Sequence, residues 1–159
     1  MRKLLFALSA LIFFNHAFAQ EEIKNPNEII IFLEGKWHNF STFVANGNPV
    51  ISEDYRETMV IKNDTTLSIT AHGYLDGKDL TKDMILILEG DKIVMKQGDF
   101  IATGKKEGNV YYLKGSHEDT EYRFRLYTMG DKYIFHNEVW KNGIVHEINM
   151  SYLLRQNME

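Results

Sequence analysis

The chain has 159 residues, 18 basic against 22 acidic side chains, a formal charge of −4 and no cysteine. An acidic balance with interspersed signs excludes nucleic acid and an anionic membrane surface as main partners, because both select a basic face. The missing thiols exclude disulfides, a lipid-modified cysteine, thiolate metal centres and a cysteine nucleophile.

The first predicted element is an export leader over residues 1–19. Arg2 and Lys3 form its positive end, Leu4 to Phe14 its apolar run, and Ala17-Phe18-Ala19 the small-x-small site that a signal peptidase reads. The run is about a dozen residues, short for the roughly 30 Å of a bilayer's hydrocarbon. Cleavage after Ala19 removes two basic and no acidic residues, so the mature charge becomes −6. Residues 20–159 are about 140, enough for one domain with one core. No later segment is long and apolar enough to span, so an exported, periplasmic or secreted product without stable membrane insertion is expected.

A single helix follows. Asn25 can cap it, Pro26 suits its first position, Glu28 stands where a capping box places its acid, and Gly35 stops the run Ile29 to Leu33. Turn signals then recur about every 8–13 residues, from Asn46-Gly47-Asn48 through Asp76-Gly77, Gly90-Asp91 and Gly98-Asp99 to Asn142-Gly143. Between them lie ten predicted strands, roughly 36–45, 50–62, 65–75, 80–89, 91–97, 99–106, 109–117, 121–129, 131–140 and 143–155. Alternation is clearest in the third, where Leu67, Ile69 and Ala71 oppose Ser68, Thr70, His72 and Tyr74. In the eighth, Tyr122, Phe124 and Leu126 oppose Arg123, Arg125 and Tyr127. Sequential hairpins without long crossovers make a meander, and closing it removes two exposed edges. The predicted fold is therefore all-β: an antiparallel up-and-down closed barrel of about 8–10 strands with a short N-terminal helix.

Leu33-Glu34-Gly35-Lys36-Trp37 places a Gly-x-Trp after the helix, and Tyr152-Leu153-Leu154-Arg155 ends the last strand. In these residues the chain resembles the calycins, the lipocalin and fatty-acid-binding superfamily, and is most similar to small bacterial calycin-like families of unassigned function. The resemblance implies a barrel floor plugged by Trp37 with Arg155 laid over its indole. It lacks the Thr-Asp-Tyr type motif and the disulfide of true lipocalins.

Aromatic residues that could line an interior include Phe40, Tyr55, Tyr74, Phe100, Tyr112, Tyr122, Phe124, Tyr133, Phe135 and Trp140. Arg125-Leu126-Tyr127 has the Arg-x-Tyr spacing with which fatty-acid-binding proteins hold a carboxylate, and residues i and i+2 of a strand point the same way. Its face is also the one opposite the apolar face, which points it to solvent. His38, His72, His117, His136 and His146 show no metal-ligand spacing, and Glu53, Asp54 and Glu57 read as a solvated strand edge. No catalytic residue, metal or cofactor is assigned. The expected function is binding of a small hydrophobic molecule inside the barrel of a monomer or homodimer, with His72, Tyr74, Arg125 and Tyr127 as ligand contacts. The alternatives are a cofactor-free isomerase or lyase using His72 and Tyr74, and a solidly packed interaction module of the cell envelope.

Overall fold

The computed structural model describes residues 26–45, 48–75 and 78–156, with a few side chains within these ranges excepted. The leader over 1–19 and the cap at Asn25 lie outside the described residues. Helix α1 spans Pro26–Leu33, followed by β1 (Gly35–Ala45), β2 (Asn48–Asn63), β3 (Thr66–Leu75), β4 (Lys78–Glu89) and β5 (Lys92–Gln97). The second half holds β6 (Phe100–Glu107), β7 (Val110–His117), β8 (Thr120–Met129), β9 (Lys132–Lys141) and β10 (Ile144–Arg155). Every strand pairs antiparallel with its neighbours in sequence, and β1 pairs with β10 to close the barrel. Ten strands leave an interior wider than side chains readily fill.

Turn chemistry explains the short connections. Asn142 and Gly143 both hold positive φ, 52° and 76°, as a two-residue turn matched to strand twist requires.

Strand alternation sends one face inward. At one end the inward residues Trp37, Met59, Leu67, Leu88, Ile93, Tyr111 and Leu153 are buried together, and α1 presses Ile29, Ile30 and Leu33 onto them while Ile31 faces out. This apolar floor is where most of the core lies. Trp37 donates its indole N–H to the Leu33 carbonyl at 2.7 Å. The Arg155 guanidinium carbon lies 4.5 Å from the Trp37 ring centroid, and its nitrogens donate to the carbonyls of Glu34, at 2.6 Å, and Phe32. One planar cation thus covers the indole and satisfies carbonyls at the helix's end. Gly35 makes room for it, with φ at 127° and Arg155 Nη1 only 2.9 Å from where a Cβ would stand.

Candidate functional site: the barrel lumen

Above the floor the lumen opens into a cavity of about 340 Å³. Its two sides differ in chemistry. Ile69 and Ala71 of β3, Met84 and Leu86 of β4, Met95 of β5, Phe124 and Leu126 of β8 and Phe135 of β9 form an apolar wall. Asn39 and Ser41 of β1, Glu57 of β2, and Asn149 and Ser151 of β10 form a polar wall, joined by Asn137 of β9. Toward the mouth a wider vestibule of about 640 Å³ adds Asp99, Phe100, His117, Tyr122 and Val139. Lys82 and Glu147 border both spaces.

The polar wall is one hydrogen-bonded chain. Asn39 Nδ2 donates to Glu57 Oε1 at 2.7 Å, and Ser41 Oγ donates to Asn39 Oδ1 at 3.0 Å. Ser41 and Ser151 hydroxyls lie 2.8 Å apart, and Ser151 Oγ is 3.3 Å from Asn149 Oδ1. Two hydroxyl protons serve these last three contacts, so Ser151 turns its proton either to Ser41 or to Asn149. Asn137 Oδ1 is buried without a partner in the protein. A buried acceptor left so is costly unless water or a ligand donates to it.

Glu57 is 8% exposed. Burial pushes its carboxyl up from 4.5 to about 7, against a smaller opposing effect of the Asn39 hydrogen bond, and no cation offsets the burial. Burial likewise holds the Tyr133 phenol well above its ordinary value, helped by the charge at Glu57. Because the folded Glu57 keeps its proton to higher pH than the unfolded one, folding weakens as pH rises from about 4.5 to about 7. The loss is on the order of 3 kcal/mol and is complete above that window. Glu57→Gln keeps an acceptor for Asn39 and removes the titration. Urea unfolding of both proteins across this range should show the variant gaining relative stability with pH, and a constant difference would contradict the buried carboxyl.

Three of the four expected contacts fall elsewhere. His72 sits on the outer surface, its Nδ1 3.1 Å from Thr81 Oγ1, while its neighbour Ala71 faces the cavity. Arg125 also points outward and pairs with Glu138 at 3.0 Å. Tyr127 shares that outer face, opposite Ile134 in the ladder. Neither Arg125 nor Tyr127 reaches the lumen, because Phe124 and Leu126 take the inward positions of β8. The Tyr74 side chain, like those of Glu53, Asp54 and Tyr55, lies outside the described residues. Glu57, read as part of a solvated edge, is buried inside. Of the aromatics, Phe124, Tyr133 and Phe135 line the cavity and Phe100 and Tyr122 the vestibule. Phe40 and Tyr112 are exposed. Trp140 is outside too, under Arg123 at 3.9 Å, and donates to Glu138 Oε2 at 2.9 Å.

The inward phase is fixed once Trp37, Met59 and Leu153 are seen to be buried in the floor. Counting inward by twos from Trp37 gives Asn39 and Ser41. The same count from Leu153 gives Ser151 and Asn149, and one step back from Met59 gives Glu57. Among the described residues no group of three or more His, Cys, Asp or Glu could hold a metal.

No protein-family model matches this chain, and no curated protein matches it. Solved structures do match its fold. The S-type phycobiliprotein lyase CPES of Guillardia theta is similar over 88% of this chain and 96% of its own, with a TM-score of 0.69 and 9% identity. Rv2717c of M. tuberculosis is similar over 86% of this chain and 100% of its own, with a TM-score of 0.58 and 16% identity. What these likenesses share with this chain is the fold, a closed antiparallel barrel.

Proposed function

We propose that this chain is an exported binding protein that carries a small hydrophobic molecule in the barrel lumen. The observation behind this reading is the cavity of about 340 Å³ with one apolar wall. Its size is at the low end of the roughly 300–1,000 Å³ usual for ligand pockets, and a few convergent polar groups give orientation. A solidly packed barrel would leave no such space. Export rests on the leader from Arg2 to Ala19, and N-terminal analysis of the mature protein should begin at Gln20.

Filling the cavity tests binding directly. Ala71 faces the cavity, so Ala71→Phe places a ring where ligand would sit. Binding of a hydrophobic fluorophore should fall by about tenfold or more, while circular dichroism stays that of the parent barrel. Full binding by a folded Ala71→Phe protein would place the ligand elsewhere.

A second reading draws on Glu57 alone. A carboxyl poised near neutrality in an apolar-sided cavity suits general acid–base chemistry, so a cofactor-free isomerase or lyase would use Glu57 and not the outward-facing His72. In that case Glu57→Gln abolishes turnover on a metabolite panel without unfolding.

A further inference from the structure

The polar wall is unbalanced, and the imbalance describes the ligand. Glu57 brings a carboxyl to the base of the cavity with a single hydrogen-bond partner, Asn39. Among the described residues it has no ion-pair partner. The serine protons are used within the wall, and Asn39 Oδ1 already accepts from Ser41. The carboxyl on this wall is therefore left with one amide hydrogen bond and, among the described residues, no cation paired with it.

We propose that the lumen takes an amine: a compact apolar body against Met84, Leu86 and Phe124, with a protonated nitrogen on Glu57. This inference rests on the small-molecule-binding reading and narrows it. A buried charge without a partner is expensive, and an ammonium supplies the missing opposite charge together with up to three N–H donors. Pairing inside a low-dielectric cavity also discriminates: a neutral isostere gains only the apolar contacts, and a carboxylate is repelled.

Surroundings of Glu57 make its ionisation the controlling variable. From β1 come Trp37 and Asn39, from β3 the apolar Ile69 and Ala71, and from β9 the buried phenol Tyr133. Lys82 lies across Ala71 in the same row of the sheet and is solvent-exposed, and Glu147 lines the cavity from β10. Tyr133 stays protonated throughout the neutral range. Amine affinity should thus rise as pH passes through the value of about 7 at which Glu57 ionises.

The test is calorimetry with three probes of equal length: octylamine, 1-octanol and octanoate, each on the parent protein and Glu57→Gln. At about pH 8 octylamine should bind about tenfold or more tighter than octanol. Glu57→Gln should bring octylamine down to the level of octanol. In the parent protein the amine advantage should shrink at about pH 5.5, which keeps the test decisive should the variant not fold. Octanol or octanoate binding as well as octylamine would overturn the amine and leave the carrier reading standing. If none of the three binds, both fall.

Discussion

Trp37→Ala should be among the most destabilising single substitutions in this chain, at a cost of about 3–5 kcal/mol. The indole is fully buried in the floor, within 5.6 Å of the Phe32 ring and 6.3 Å of Tyr133. Removing it opens a void beneath α1, frees the Leu33 carbonyl and takes away the surface on which Arg155 lies. For a domain of this size the melting temperature should fall by about 10–20 °C. Arg155→Lys should reproduce part of this, because an ammonium cannot lie flat on the ring and reach the carbonyls of both Glu34 and Phe32. Thermal unfolding by circular dichroism checks both. A Trp37→Ala protein that melts like the parent would mean that the floor is held by α1 and the remaining apolar side chains alone.

Gly104→Ala should cost about as much by the opposite route, insertion instead of removal. A Cβ at Gly104 would stand 1.7 Å from the Tyr112 carbonyl oxygen and 2.7 Å from the Leu113 Cα. Both are backbone atoms, so no side chain can rotate away, and β6 must separate from β7. Glycine within a strand here marks a close approach of two backbones. We expect a loss of about 3 kcal/mol or more, and failure to fold is consistent with it. Gly98→Ala is the control. Its φ of 56° strains an L-residue, but no atom lies within 4 Å of the added methyl, so about 1–2 kcal/mol is expected. Equal chemical-denaturation midpoints for the two variants would refute the close-approach argument.

Charge placement gives this barrel an outside and an inside of different character. Arg123, Arg125, Glu138 and Trp140 form a linked cluster on the outer wall of β8 and β9, where solvent screens the ion pairs and each contributes little. Glu57 has no such relief. Its carboxyl is tuned by burial to titrate near neutrality, so the same side chain governs the pH profile of stability and, in our proposal, the choice of ligand. These two roles are linked: a cation bound in the lumen stabilises the ionised form and should flatten the fall of stability between about pH 4.5 and 7.

The sequence by itself determined the number of strands, their order and the closure. Those follow from local chemistry: Asn142-Gly143 adopts the positive φ of a tight turn whatever surrounds it, and a meander of paired hairpins has few ways to hide its edges. The Gly-x-Trp at 35–37 and the terminal Arg155 likewise announced a plugged floor. The polar wall was decided only in three dimensions. Whether Glu57 meets water or the cavity depends on a one-residue phase within β2, and a charged residue in a run with Glu53 and Asp54 reads as surface until the ladder with β1 and β3 is known. Arg125 and His72 carried the stronger chemical signals but fell on the outward phase. The meeting of Asn39, Ser41, Ser151 and Glu57 likewise joins β1 and β2 to the last strand, and no spacing along one strand encodes that contact.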